Sequence, residues 1–322
     1  SKQRLVEKTE AVYRQVTTPK KILVYKLSSL GDMVLISPSL RALRKNFPEA
    51  HITLLTDPMT RPIIETCPYL DEIITVPKQN LKRLSLIKKL RDQNFDCSID
   101  FQNSFWTHWV SYGAGIPRRY GYGRRGGALF LNRVAEDKPL PPVEHQFEIL
   151  KLLSLENLAP HLECWTSDQD QKNAAALLHH LGIQRNRPLL GIHIGASWDT
   201  KRWEANHIAS LCNQQPNLQI LLTGDRHDQK VESHIREFLQ RPVFSAVGKT
   251  TLRELAAMIQ RCSLYISTDS VPLHIAAAMG TPTVGLFGPT DPTRHAPPAA
   301  NLRILQEKVA CGPCYRPTCS HH

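Results

Sequence analysis

The chain has 322 residues, of which 41 % are hydrophobic and 21 % are charged, a composition that supports folded cores and excludes disordered or fibrous classes. The 40 basic and 29 acidic residues give a formal charge of +11, which suits either anionic partners or a generic basic surface. The sequence shows no apolar run of about 18 residues and no apolar N-terminal leader, so neither a membrane span nor a secretory signal is expected.

At roughly 150 residues per domain, this length predicts about two domains. In the first half, residues 1–18 are predicted to form a short amphipathic helix. Strands are predicted at residues 21–25, 51–55, 73–76 and 97–100. A helix from Val34 to about Phe47 joins the first two strands into a βαβ unit, which implies a parallel sheet. Residues 113–142, rich in Gly, Pro and Arg, are expected to be loop.

The second half repeats the alternation more clearly. Strands are predicted at residues 189–194, 218–222, 243–245, 264–267 and 283–287, and helices near residues 204–214, 227–240, 251–260 and 272–279. Two such arrays predict an α/β chain of two Rossmann-like, doubly wound domains, residues 1–165 and 166–322. Sheets of this kind bind ligands at the carboxyl ends of their strands, so the site is expected in a cleft between the domains.

The loop after the first predicted strand, Ser28-Ser-Leu-Gly-Asp32, carries candidate binding and catalytic residues. Gly31 permits a tight turn there, and backbone N–H groups at a helix start can face an anion. Asp32 has two interpretations: a carboxylate at the cleft edge that takes a proton from a hydroxyl group, or a first-turn residue that complements the helix dipole. The loop lacks the GxGxxG pattern of nicotinamide and flavin sites.

The loop Gly195-Ala-Ser-Trp-Asp-Thr-Lys-Arg-Trp203 follows another predicted strand. Ser197 and Lys201 in such a loop suit a phosphate, because a lysine ammonium can neutralise a departing diphosphate. The alternative is a polar loop whose cations are solvated.

A third loop, Thr223-Gly-Asp-Arg-His-Asp228, also follows a predicted strand. Its acidic residues, Asp225 and Asp228, can hold the ribose hydroxyls of a nucleotide or cap the next helix.

The most specific segment is Ser267-Thr-Asp-Ser-Val-Pro-Leu-His274, where a strand leads into a helix of small residues. Free N–H groups at this helix start, with the hydroxyls of Thr268 and Ser270, can form a diphosphate cradle. Asp269 and Ser270 can also be capping residues. His274 is either a buried structural histidine or a residue that lines the cleft.

Three segments in this order resemble the ADP-heptose:lipopolysaccharide heptosyltransferase family: KILVYKLSSLGDMVLISPSLRAL, the loop Trp198–Trp203, and TDSVPLHIAAAMGTPTVGLFGPTDP. The resemblance implies a GT-B fold, with an N-terminal acceptor domain and a C-terminal nucleotide-sugar domain. It implies an inverting transfer of heptose from ADP-heptose without a metal, onto phosphorylated Kdo–lipid A or a heptosylated core. The enzyme is then expected in the cytoplasm, at the inner face of the inner membrane.

The resemblance also assigns residues. Asp32 matches the family's proposed general base, Lys201 its cationic phosphate ligand, and Asp228 an acidic contact to the donor ribose. Together with the candidates above, the predicted donor site is Ser197, Lys201, Asp228, Thr268, Asp269, Ser270 and His274. The predicted acceptor site includes Ser28, Ser29 and Gly31.

Val271 departs from the family pattern, which often has glycine at this position. A side chain here narrows the approach to the phosphates. The departure leaves open an enzyme of the same fold with another nucleotide-sugar donor or a protein acceptor. A non-catalytic protein that binds nucleotide sugars is a further alternative, against which the presence of both Asp32 and Lys201 argues.

Two basic clusters lie in the first half of the chain. One comprises Lys82, Arg83, Lys88, Lys89 and Arg91, and the other comprises Arg118, Arg119, Arg124 and Arg125 around two tyrosines. Guanidinium groups bind phosphate in a bidentate manner, so the arginines are predicted to bind a phosphorylated glycolipid acceptor. An anionic membrane surface also suits both clusters, and a solvated face is the alternative. No nucleic-acid-binding motif is recognised, so no nucleic acid partner is expected.

The cysteines fall into two groups. Five are scattered singly, as is usual in a reducing cytosol. Cys311, Cys314 and Cys319 form a C-x2-C-x4-C pattern followed by two histidines, which could bind a structural zinc or iron. Free thiols and a disulfide are the alternatives.

Overall fold

The computed structural model describes residues 18–77, 80–123, 126–155 and 158–319. Within these ranges the chain forms two six-stranded sheets, one from each half. The helix predicted at residues 1–18 lies almost wholly outside the described residues, so it stays a prediction.

The first sheet has the strand order β3-β2-β1-β4-β5-β6, and its neighbouring strands are parallel. Its strands are β1 (Lys21–Tyr25), β2 (His51–Thr56), β3 (Glu72–Thr75), β4 (Cys97–Asp100), β5 (Arg118–Tyr122) and β6 (Arg133–Ala135). The helices of this half are α1 (Leu30–Leu35), α2 (Ser37–Asn46), α3 (Arg61–Ile64), α4 (Asn80–Asp92), α5 (Phe105–Gly113) and α6 (Pro142–Lys151). The central strand β1 is apolar and buried, because helices cover both faces of a parallel sheet.

The second sheet is also parallel, with the order β12-β11-β10-β7-β8-β9. Its strands are β7 (Leu189–His193), β8 (Gln219–Thr223), β9 (Phe244–Ser245), β10 (Leu264–Thr268), β11 (Thr283–Phe287) and β12 (Leu302–Gln306). The helices are α7 (Asp168–His180), α8 (Ala205–Asn213), α9 (Gln229–Phe238), α10 (Leu252–Ile259), α11 (Val271–Ala278) and α12 (Pro292–His295).

The strand orders explain where the site forms. In each sheet the first three strands extend to one side and the last three to the other. The strand order therefore switches between β1 and β4 in the first sheet and between β7 and β10 in the second. Ligands of open α/β sheets bind at the carboxyl ends of strands at such switch points. The loops after β1, β7 and β10, which carry Asp32, Lys201 and Asp269, therefore lie where a ligand site is expected. The predicted fold of two doubly wound domains is confirmed.

Two sequence-based predictions were wrong in detail. The single helix predicted up to Phe47 is two helices, α1 and α2, which meet at Ile36. Pro38 lies in the first turn of α2, and a proline there has no N–H with which to continue the hydrogen bonding of α1.

The segment predicted as loop, residues 113–142, contains β5, a 3-10 helix at Gly127–Phe130 and β6. Pairing with β4 makes β5 a strand despite its Arg-Arg-Tyr-Gly-Tyr sequence, because tertiary contacts outweigh weak local propensity. In the second sheet, the edge strand β12 was not predicted.

The domain boundary at residues 165 and 166 is kept as a proposal, which the contacts on either side support. Arg41 of α2 donates to the backbone carbonyls of Ala159 and His161, so this segment is bound to the first half. Helix α7 packs on α10 of the second half, where Asn173 donates to Glu254 at 2.7 Å. In the described part of the chain no helix combines the length and the apolar composition that a membrane span requires.

Candidate active site in the interdomain cleft

A cleft of about 920 Å³ lies between the carboxyl edges of the two sheets, and residues from both halves line it. Nine of the predicted site residues are among these lining residues: Ser29, Gly31, Asp32, Ser197, Lys201, Asp228, Asp269, Ser270 and His274. Ser28 and Thr268 adjoin this set but do not belong to it. The parallel topology thus brings loops from distant parts of the sequence into one place.

Asp32 stands in the first turn of α1 and faces the cleft, with 41 % of its side chain exposed. Its Oδ2 accepts a hydrogen bond from the Ser29 backbone N–H at 3.2 Å. The Lys26 ammonium lies 2.9 Å from the same oxygen. Asp32 therefore complements the helix start and faces the cleft at once, so the two sequence interpretations are compatible. Lys26 was not singled out from the sequence, although it lies inside the segment from Lys21 to Leu43, because one lysine after an apolar strand does not indicate which carboxylate it pairs with.

The loop before Asp32 is held by the end of β4. The Gln102 side-chain oxygen accepts from the backbone N–H groups of Leu27 and Ser28, at 3.0 and 3.2 Å. Asp100 in turn accepts from the Gln102 N–H at 2.8 Å. Asp100 is buried beside His108, whose Nε2 lies 3.2 Å from Oδ2. Burial raises the pKa of Asp100 to about 7 and lowers the pKa of His108 to about 4.

His274 of α11 crosses the cleft to contact the first half. A Cβ atom on Gly31 would lie 3.0 Å from the imidazole Cδ2, so only glycine leaves the ring its present room. His274 is 8 % exposed, and its burial lowers its pKa. Both alternatives from the sequence hold in part, because His274 is a buried contact and also lines the cleft.

Lys201 is fixed on the opposite wall by an ion pair with Asp269. The ammonium nitrogen lies 2.7 Å from Oδ2, and the two side chains are 13 % and 7 % exposed. The Thr290 hydroxyl donates to the same carboxylate oxygen at 2.7 Å. The ammonium also lies 4.7 Å from the centre of the Trp198 ring, a cation–π distance. Lys201 is therefore a positioned cation in the cleft wall.

Helix α11 begins beside this ion pair. Its N-cap residue, Ser270, makes no side-chain cap and instead donates to the Thr268 carbonyl at 3.2 Å. The Thr268 hydroxyl donates to the Gly195 carbonyl at 3.3 Å. Both hydroxyls therefore have partners within the protein, and an anion at this helix start would meet the backbone and the helix dipole. Val271 lines the cleft directly after Ser270.

Asp228 lies in the cleft wall against two glycines. Its Oδ2 accepts from the Asp225 backbone N–H at 2.8 Å, which completes a capping box. A Cβ atom on Gly195 would lie 2.2 Å from Oδ2, and one on Gly224 would lie 2.9 Å from it. The two loops therefore need glycine so that this carboxylate can approach. Burial raises the pKa of Asp228.

Comparison with known proteins identifies the family. Residues 83–322 match the model of glycosyltransferase family 9, described as heptosyltransferase. The chain belongs to glycosyltransferase family 9. It is therefore a glycosyltransferase, as predicted.

Relatives in this family match over most of the chain. The lipooligosaccharide heptosyltransferase 2 of Haemophilus ducreyi is 29 % identical over 308 residues, which cover 88 % of each chain. A glycosyl transferase family 9 structure from Veillonella parvula superposes with a TM-score of 0.82 at 25 % identity, covering 89 % of this chain and 86 % of that one. The ADP-heptose LPS heptosyltransferase II of E. coli gives 0.75 at 26 % identity, covering 88 % and 90 %. These matches confirm the GT-B fold.

Two of the arginines predicted to bind an acceptor lie away from this family 9 cleft. Arg118 and Arg119 begin β5, at the end of the sheet opposite to Asp32. The Arg119 guanidinium donates to the carbonyls of Ile116 and Phe130, both at 2.5 Å. Arg124 and Arg125 lie outside the described residues.

The C-terminal segment that carries the three cysteines contacts the 3-10 turn at Asp199–Lys201 through its backbone at Arg316. Thr200 donates its hydroxyl to the Arg316 carbonyl at 2.6 Å, which attaches this tail to the turn. Cys311, Cys314 and Cys319 are free thiols. Among the described residues, no group of three or more His, Cys, Asp or Glu side chains is placed to hold a metal ion. The two final histidines lie outside that range.

Proposed function

We propose that this glycosyltransferase transfers heptose from ADP-heptose to a hydroxyl group of the lipopolysaccharide inner core. One observation carries the proposal: Asp32 from the first half lines the same cleft as Lys201 and the start of α11 from the second half. Similarity to proteins named heptosyltransferase 2 and ADP-heptose LPS heptosyltransferase II supports the sugar and the nucleotide. The proposed acceptor is phosphorylated Kdo–lipid A or a heptosylated core.

In this proposal the second half holds the donor. The diphosphate lies at the start of α11, where the helix dipole and the Lys201 ammonium offset its charge. Asp269 keeps Lys201 at that position through the 2.7 Å ion pair. Asp228 offers its carboxylate to the ribose hydroxyls, as acidic residues after a strand of such sheets do.

The first half supplies the base. Asp32 accepts the proton of the acceptor hydroxyl, whose oxygen attacks the anomeric carbon from the face opposite to the diphosphate. The bond from that carbon to the diphosphate oxygen breaks, and ADP leaves with its electron pair. The configuration at the anomeric carbon is therefore inverted. We propose that Lys201 and the α11 dipole stabilise the leaving group without a metal, since they provide positive charge at that place.

Release of ADP tests the proposal. Purified protein is incubated with core acceptor and ADP-heptose, UDP-glucose or GDP-mannose, and the released nucleotide is measured. Release from ADP-heptose alone, with heptose recovered on the acceptor, is the expected result. Release from UDP-glucose or GDP-mannose would favour the same fold with another donor, for which Val271 in the cleft is the motivating observation. Melting temperatures raised by ADP without any release would favour a binding protein.

We also propose that the enzyme works in the cytoplasm as a peripheral protein at the inner membrane. Phe105, Tyr112 and Leu129 are exposed large apolar side chains of the first half. The Phe130 ring packs edge-to-face on Phe105 and at a tilt on Tyr112. Arg119 lies over the Tyr112 ring, so the apolar surface has a cation beside it, which suits anionic lipid. Leu129→Ser should weaken co-sedimentation with phosphatidylglycerol vesicles, whereas Phe238→Ser on α9 should not.

A further inference from the structure

A second cavity of about 810 Å³ adjoins the cleft and shares Pro142 and Arg294 with it. Its walls are residues 137–142 and His145 of the first half and the start of α12 from the second. The His145 ring stacks on Tyr122, the last residue of β5, with centres 3.9 Å apart. The cavity therefore continues the cleft along the carboxyl edge of the first sheet, on the side that the proposed acceptor occupies.

Most of the charged groups in this second cavity are already paired. Lys138 lies 3.1 Å from Glu136, and His145 lies 3.0 Å from Asp137. Asp291 accepts from the backbone N–H and the hydroxyl of Thr293, at 2.9 and 2.8 Å.

Arg294 differs from these groups. It is exposed, and within the described residues its guanidinium makes no ion pair with a carboxylate. It is therefore a cation that is available to a ligand at the junction of the two cavities.

The helix that carries Arg294 is fixed to the donor side. Thr290, just before α12, donates to the Asp269 carboxylate that also holds Lys201. The Asp291 side chain caps α12, and the Asp291 N–H donates to the Tyr315 hydroxyl at 3.3 Å. These contacts place Arg294 between the proposed donor phosphates and the second cavity.

We propose that the second cavity binds an anionic sugar unit of the acceptor and that Arg294 pairs with its acidic group. A guanidinium binds a carboxylate or a phosphate through two parallel hydrogen bonds, which also fixes the orientation of the sugar. The donor diphosphate already has Lys201 and α11, and most of the second cavity belongs to the acceptor half. This inference rests on the proposed function and adds a specificity-determining residue to it.

Binding of a water-soluble, de-O-acylated core acceptor tests the inference by calorimetry, in the presence of ADP. Three forms of the probe are compared: unmodified, dephosphorylated, and methyl-esterified at its carboxylates. Arg294→Ala should raise the Kd of the unmodified probe by about tenfold or more, because a hydrogen bond to a charged group is lost. Arg294→Lys should have an intermediate effect. Arg303→Ala is the matched control, since this exposed arginine on β12 lines neither cavity.

The modified probes identify the acidic group. If the Arg294→Ala effect disappears with the dephosphorylated probe, Arg294 binds a phosphate, and if it disappears with the ester, Arg294 binds a carboxylate. An equal Kd for the wild type and Arg294→Ala would overturn the inference. A weaker affinity for ADP alone, with acceptor binding unchanged, would instead place Arg294 on the donor. The proposed function is judged separately, by whether the wild type releases ADP from ADP-heptose.

Discussion

Gly31 and His274 touch across the interdomain cleft, so that a Cβ atom at residue 31 would lie 3.0 Å from the imidazole ring. The contact joins α1 of the first half to α11 of the second. Asp32 is the next residue after Gly31, and His274 lies one turn from the start of α11. The spacing of the two proposed catalytic walls is therefore set, in part, by the absence of a side chain at residue 31.

Gly31→Ala should lower kcat/KM by about threefold to tenfold without lowering the free energy of unfolding. Alanine has a higher helix propensity than glycine, by up to about 1 kcal/mol, so the substitution should not destabilise α1 itself. The added methyl group must displace the His274 ring by a few tenths of an ångström. A double-mutant cycle of kcat/KM with His274→Ala measures the coupling, for which we expect about 0.5 kcal/mol or more. Simple additivity of the two effects would show that this contact does not set the cleft.

Lys201→Met should reduce kcat/KM by about a hundredfold or more, because a positioned cation that stabilises the leaving group is lost. The variant also leaves Asp269 buried without its partner, which typically costs about 3 kcal/mol of stability. Lys201→Met combined with Asp269→Asn should recover most of that stability in urea unfolding but none of the activity. Recovery of both would indicate that Lys201 is only structural.

Asp32→Asn should lower kcat by about a hundredfold or more and leave the Kd for ADP unchanged, because the amide cannot take the acceptor proton. The amide oxygen can still accept from the Ser29 N–H, but the ion pair with the largely buried Lys26 is lost, so the free energy of unfolding should fall by about 1 to 3 kcal/mol. Asp57→Asn is the matched control, since Asp57 accepts from the Met59 N–H and does not line the cleft. A rate near that of the wild type for Asp32→Asn would exclude Asp32 as the base.

The buried pair of Asp100 and His108 should make the single variants respond to pH in opposite ways. In Asp100→Asn, His108 stays neutral in the folded state down to about pH 4 but takes up a proton below about pH 6.5 when unfolded. The unfolded state then binds more protons than the folded state. The free energy of unfolding should therefore increase by up to about 3 kcal/mol as the pH rises from about 4 to about 6.5. In His108→Gln, folded Asp100 keeps its proton up to about pH 7, whereas the unfolded state loses it near pH 3.8. Stability should then fall as the pH rises through this window.

Urea unfolding between pH 4 and pH 7.5 measures how the free energy of unfolding of each variant changes with pH. In the wild type the two contributions oppose each other, so this pair should add little net dependence on pH. Slopes of the same sign in both variants would contradict the assigned pKa shifts.

Local patterns were sufficient for most of the architecture. Apolar runs such as Ile22–Tyr25 and Leu189–Ile192 predicted central strands, because a strand covered on both faces must be apolar throughout. The edge strands β6 and β12, and β5 next to β6, have mixed sequences, and backbone pairing with their neighbours decides that they are strands. For the same reason, prediction failed in the segment 113–142.

The sequence by itself determined the α/β class and most of the strands, and its motifs indicated the loops after β1, β7, β8 and β10. It could not determine which side chains meet. Whether Lys26 reaches Asp32, Lys201 reaches Asp269, or His274 reaches Gly31 depends on distances across the fold that no local pattern contains. Only the tertiary structure decided these contacts, because a pairing between residues far apart in sequence follows from how the two sheets pack, and not from the propensity of either residue.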